Sequence, residues 1–217
     1  MMMISMTKQQ HRPCHALRLL HTALLFFTLQ STTSAYNNSP HNEPKPLMRA
    51  WMCSGKTQSD MIGKLAQAGI VKTSIIKEAL LRVDRKNYAP RPDSAYEDSP
   101  QQIGYGATIS APHMHAHVLE ELLPPLLTAS ETSPDNNKLL KILDVGCGSG
   151  YLTSVFGRLV ESKENRRKST VLNEGKVYGI DVVPELVDMS KTNTMKEDGD
   201  LLDSHTVEFL CRDGWKG

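Results

Sequence analysis

Two stretches of this chain carry residue types that chemistry uses. Gln102–His117 (QIGYGATISAPHMHAH) sets two glycines, the hydroxyls of Thr108 and Ser110, a proline and three histidines between apolar segments. That composition builds no core and reads as a loop shaped around a ligand. Asp144–Gly150 (DVGCGSG) places glycine at every second position, Gly146, Gly148 and Gly150. Such spacing lets the backbone turn sharply and approach a bound molecule without Cβ clashes. Asp181 closes an apolar run, where a carboxylate can accept both hydroxyls of a ribose. Dinucleotide enzymes use G-x-G-x-x-G; here the third glycine comes one residue early, and Tyr151 stands in the later glycine's place. On a helix, His113 and His117 share a face and His115 turns away; with no third ligand and no H-E-x-x-H, no metal is expected.

The elements that must position these residues follow from periodicity. Ser59–Gln67 reads as a helix with Met61, Ile62 and Leu65 on one face, Ser59 as its cap and Gly69 at its end. Thr73 caps a second helix whose apolar face is Ile75, Ile76, Ala79, Leu80 and Val83. Residues 84–100 read as loop. A helix begins near Pro112, carries Val118, Leu119, Leu122 and Leu123, and breaks at Pro124-Pro125; Thr128–Asn137 reads as a polar loop. Strand and helix then alternate: strand Leu139–Val145, helix Leu152–Val160, strand Lys176–Ile180, helix Pro184–Lys196, strand Thr206–Cys211. Two β-α-β units in a row predict an α/β fold, a doubly wound parallel sheet with right-handed crossovers. Glu161–Glu174 is charged, lacks apolar periodicity and reads as a surface insertion, which lengthens the interval between Gly150 and Asp181.

G-x-G-x-G preceded by an acid resembles the S-adenosylmethionine loop of Rossmann-like methyltransferases. With Gln102–His117 and Asp98-Ser99-Pro100-Gln101 upstream, the chain resembles the protein-L-isoaspartate (D-aspartate) O-methyltransferase family from Met48 to Gly217. The resemblance implies cofactor contacts at Ala107, Thr108, Ile109, Ser110, His115, Asp144, Gly146, Gly148, Gly150, Asp181, Val182, Asp213 and Gly214, the last pair at the adenine amino group. It implies methyl transfer from S-adenosyl-L-methionine, leaving S-adenosyl-L-homocysteine, to the free carboxylate of L-isoaspartyl and D-aspartyl residues in damaged proteins. A carboxylate is ionised at pH 7 and needs no strong base; attack on a sulfonium methyl needs in-line positioning and exclusion of water. The implied role of Ser110 is therefore to orient the carboxylate, its hydroxyl also being placed to cap the next helix. Gly106 departs from the larger polar residue expected in animal forms. The competing reading is an inert, truncated module that binds S-adenosylmethionine or isoaspartyl proteins; a nicotinamide-dependent oxidoreductase is disfavoured by the early third glycine.

The 217 residues suffice for one α/β domain, and the formal charge of +1 gives no bulk attraction to nucleic acid. Four dispersed cysteines without a CxxC pair read as free thiols. Lys8, Arg12 and Arg18 precede an apolar run, Leu19–Leu29, and a small-residue stretch ending at Ala35, so residues 1–35 read as a secretory or organelle targeting peptide. Residues 36–47 read as a polar linker, 48–137 as the helical and substrate-loop region, and 138–217 as an incomplete cofactor-binding half-domain. A start at Met48 is the alternative, giving a cytoplasmic protein. The mature chain is expected to be a monomer without a stable membrane anchor, acting on damaged proteins and peptides. Since strands in the order 3-2-1 form one half of such a sheet, the edge of the first is expected to stand uncovered, and the chain to be a C-terminally truncated fragment of doubtful activity on its own.

Overall fold

The computed structural model describes residues 3–6, 24–26, 53–131, 139–162 and 172–216. The expected targeting peptide and linker, the middle of the expected 161–174 surface insertion and most of the 128–137 loop thus lie largely or wholly outside the described residues. Strands β1 (Met3–Met6) and β2 (Leu24–Phe26) come from that amino-terminal stretch. Helix α1 (Gln58–Gln67) buries Met61, Ile62 and Leu65 as its periodicity predicts, each worth about 2 kcal/mol of transfer free energy. Its cap is Thr57 rather than Ser59: the Thr57 side chain accepts the Asp60 amide at 3.2 Å. Two candidate hydroxyls two residues apart left that choice open locally. Helix α2 (Ser74–Arg82) is capped by Thr73 as expected.

The stretch expected to build no core does build one. It folds into a hairpin, β3 (Gln101–Gly104) and β4 (Ala107–Ile109), followed by helix α3 (Pro112–Glu131). Ile103, Ile109 and Ala116 join the main apolar cluster. Strand alternation sends the isoleucines inward while Gln102, Gly104 and Thr108 face out. Pro124 and Pro125 do not break α3, which continues to Glu131. Leu123 and Leu126, buried on either side of the pair, supply packing that offsets the missing amide donors. Glu120 of α3 accepts the Lys72 and Thr73 amides at 2.8 and 2.9 Å and so seats α3 against the start of α2.

The α/β part matches expectation within a residue or two: β5 (Leu140–Val145), α4 (Tyr151–Val160), β6 (Gly175–Asp181), α5 (Pro184–Glu197) and β7 (Val207–Cys211). The short helix α6 (Asp200–Asp203) was not anticipated. Strands β5, β6 and β7 pair in parallel, and the full sheet runs β2-β1-β5-β6-β7. The edge of β5 is therefore not bare: β1 lies antiparallel along it, Met3 opposite Val145 and Met6 opposite Ile142, with β2 outside β1. An open edge offers unpaired amides and carbonyls to any extended segment within reach, a pairing that no local sequence pattern announces.

Glu161, expected on a charged surface, is buried instead. Its carboxylate is bound by Arg82 of α2 and Arg158 of α4. No helix among the described residues is long and apolar enough to cross a membrane.

Candidate active site

The carboxyl ends of β5 and β6 meet the β3–β4 hairpin and the start of α3. Between them opens a shallow cleft, lined by Thr108, Ile109, Ser110 and His115 on one side. Asp144, Gly146, Cys147, Gly148, Ser149, Tyr151 and Leu152 form the other side. Two segments joined in the reading of the sequence only by resemblance thus face each other across one space.

The glycine loop is held by its surroundings. Gly146, Gly148 and Gly150 all have positive φ, a conformation that a side chain would strain. Space is also tight at position 150, where an added Cβ would lie 3.0 Å from Phe209 and from Ser190. Gly146 and Cys147 donate their amides to the Ile180 carbonyl at 2.8 and 3.1 Å, fastening the loop to β6. From α5, Ser190 donates its hydroxyl to the Gly148 carbonyl at 2.8 Å and Asn193 its amide to the Ser149 carbonyl at 3.1 Å. These two supports were missed; their three-residue spacing puts them on one face of α5, a signal that means something only once α5 is known to lie beside the loop.

Asp144 is 2% exposed and accepts the Thr153 hydroxyl at 2.6 Å. Burial pushes its carboxyl up to about 6; the Thr153 bond opposes that rise and the nearby Asp181 adds to it. Asp181 accepts the Gly148 amide at 3.2 Å and the Val183 amide at 3.1 Å, one on each oxygen. It lies beneath the loop and outside the lining of the cleft. Each oxygen keeps a further lone pair for another donor.

Ser110, Thr108 and Gly104 face solvent along the β3–β4 hairpin and the link to α3, and Ala107 packs partly against the core. His113 and His115 are both buried and committed: Asp98 takes the His113 amide at 3.0 Å and its Nδ1 at 2.7 Å, while Arg85 meets His115. His117 is half-buried on α3. Among the described residues, no group of three His, Cys, Asp or Glu side chains could hold a metal ion. Gly150, Val182, Asp213 and Gly214 also stand outside the cleft lining: Val182 is exposed beside Asp181, and Asp213 accepts the Trp215 amide at 3.0 Å. A Cβ on Gly214 would sit 2.8 Å from Val145, so that turn lies against the end of β5. Cys147, Ser149, Tyr151 and Leu152 enter the cleft unforeseen.

A parallel β7-β6-β5 sheet, a glycine turn leaving β5 and carboxylates at the ends of β5 and β6 define an α/β protein of the Rossmann-like, S-adenosylmethionine-dependent methyltransferase class. The family model for protein-L-isoaspartate (D-aspartate) O-methyltransferase matches residues 56–217. The chain is 37% identical over 168 residues to the protein-L-isoaspartate O-methyltransferase of Caenorhabditis elegans, covering 77% of this chain and 64% of that one. It is 37% identical over 161 residues to protein-L-isoaspartate O-methyltransferase 2 of Arabidopsis thaliana, covering 72% and 44%. A crystal structure of a putative protein-L-isoaspartate O-methyltransferase from Plasmodium falciparum, in complex with S-adenosyl-L-homocysteine, superposes with a TM-score of 0.60 at 28% identity, covering 75% of this chain and 66% of that one. The chain belongs to the protein-L-isoaspartate (D-aspartate) O-methyltransferase family. It spans under two-thirds of the length of these two curated relatives.

Proposed function

We propose that this chain supplies the S-adenosylmethionine site and substrate lid of a protein repair methyltransferase acting on isoaspartyl and D-aspartyl carboxylates. The observation that carries the proposal is the shared cleft, in which Ser110 and His115 of the lid face Gly146 and Gly148. The residues present fit the cofactor. A backbone wall without Cβ atoms suits close approach, Asp181 suits a ribose, and buried Asp144 suits the cationic amino-acid end. Bound there, the cofactor supplies an electrophilic methyl group. Ser110 orients the incoming carboxylate through its hydroxyl, and the lid excludes water. No general base is needed, because the nucleophile is already ionised. Methyl transfer from labelled S-adenosylmethionine to an isoaspartyl peptide, against the matched aspartyl peptide, tests the proposal; equal labelling of both would overturn it, and cofactor binding without transfer would leave the inert module as the better reading.

Ser110→Ala should lower kcat for that peptide about 10- to 100-fold, the cost of losing one hydrogen bond to a charged group, with the Kd for S-adenosylhomocysteine largely unchanged. Equal losses in both would contradict an orienting role.

Asp144 makes the site pH-dependent. Its native carboxyl titrates near 6, above the unfolded value of 3.8. The folded state thus holds the proton more tightly, and stability falls as pH rises through this window. A cationic group bound beside Asp144 favours the ionised form. Affinity for S-adenosylhomocysteine should therefore rise between pH 5 and 7, and Asp144→Asn should flatten the profile. Calorimetric titration at several pH values reads both, and a flat wild-type profile would remove Asp144 from the amino-acid end.

A further inference from the structure

Arg85 carries no pattern in the sequence, yet it is one of the most completely buried charged residues described, at 0% exposure. No carboxylate pairs with it among the described residues. Its side chain is divided among three acceptors on three segments. Nε donates to the Ala95 carbonyl at 2.9 Å, Nη2 to the Ser110 carbonyl at 2.8 Å, and Nη1 meets His115 Nδ1 at 3.3 Å. The guanidinium carbon also sits 5.5 Å from the ring centre of Tyr151, which lines the cleft and is itself 5.0 Å from the His115 ring.

Burying a guanidinium without a carboxylate is costly. Here the contacts run to the lid and to the first turn of α4, not to the apolar core alone. The planar fork fixes the carbonyl of Ser110, hence the backbone from which that hydroxyl projects. It also decides a proton position. Arginine has donors only, so Nδ1 of His115 must be the acceptor, and the ring proton must sit on Nε2. Burial foremost, then the charge of Arg85 and then His113, hold His115 well below the usual histidine range, so the ring is neutral. With Nδ1 engaged, Nε2–H is the one polar group the ring can offer to a ligand.

We propose that Arg85 is a positioning residue that fixes the lid at Ser110 and locks His115 as the neutral Nε2–H tautomer, a preset donor for a carboxylate bound in the cleft. The proposal rests on the methyltransferase reading for its kinetic consequence but not for its geometry. Tyr151, Arg85 and His113 are the charged or titratable groups set around the His115 ring. Lysine keeps the charge of Arg85 yet cannot reach three acceptors in one plane.

Two measurements decide it. In ¹⁵N-histidine-labelled wild-type protein at pH 7, long-range proton–nitrogen correlations should show His115 protonated at Nε2 alone; a proton on Nδ1, or on both nitrogens, overturns the proposal whether or not the chain transfers methyl groups. In the kinetic arm, Arg85→Lys should lower kcat for the isoaspartyl peptide about 100-fold, the scale of a lid displaced by about an ångström, with the Kd for S-adenosylhomocysteine within about threefold of wild type. An unchanged kcat, or parallel loss of cofactor affinity and kcat, overturns it. Should Arg85→Lys fail to fold, the tautomer in the wild type still decides. Should the wild type lack transfer while showing Nε2–H, the enzymatic reading fails and the assignment of Arg85 to His115 stands.

Discussion

Asp181→Ala should weaken binding of S-adenosylhomocysteine by at least about 100-fold. Two contributions act together. The carboxylate is proposed to accept two ribose hydroxyls, and hydrogen bonds to a charged group contribute about 1.5–3 kcal/mol each. It also accepts the amides of Gly148 and Val183, so its removal loosens the turn that forms the backbone wall. Asp181→Asn separates the two contributions. One amide oxygen can still hold Gly148 or Val183 but not the full set of donors, so an intermediate loss of affinity is expected. Calorimetry on both variants gives the answer. Binding of the alanine variant within about threefold of wild type would place the ribose elsewhere.

The largest effect on stability is expected at Arg158. It reaches from α4 to Asp198 at 2.7 Å, Asp200 at 2.5 Å and Glu161 at 3.1 Å. Tyr88 donates to the other oxygen of Asp198 at 2.7 Å. Asp198 and Glu161 are 0% and 1% exposed at their side chains, so Arg158→Ala takes from buried Asp198 its arginine partner, while Glu161 keeps Arg82. Breaking such a pair on one side costs about 3–5 kcal/mol, which corresponds to a fall of roughly 10 °C in the melting temperature for a chain of this size. Because Arg158 joins α4, the start of α6 and the end of α5, the glycine loop at the front of α4 should loosen as well. A melting temperature lowered by less than about 2 °C would show that the network contributes little.

Local signals in this sequence were reliable because they need only their neighbours. The Thr73 cap, the apolar faces of α1 and α2, the three parallel strands and the glycine turn could all be read from spacing. Features decided by distant partners could not. The run through Pro124-Pro125 depends on Leu123 and Leu126 finding a core, and the burial of Glu161 depends on two arginines from other helices. Arg85 reads as one more charge in a loop until Ala95, Ser110 and His115 converge on it. The histidines illustrate the same limit. Their spacing could not assign their partners, whereas the fold gives His113 to Asp98 and His115 to Arg85. The facing of lid and glycine loop was legible only through family resemblance, since no periodicity connects residue 110 to residue 148.

The most direct test is a crystal structure of this chain with S-adenosylhomocysteine. The ligand should lie between Ser110 and the Gly146–Gly148 turn, its ribose hydroxyls on Asp181 and its sulfur toward the lid. A ligand bound outside that cleft, or no binding by a chain that is otherwise folded, would contradict the assignment of the cleft as the site of methyl transfer.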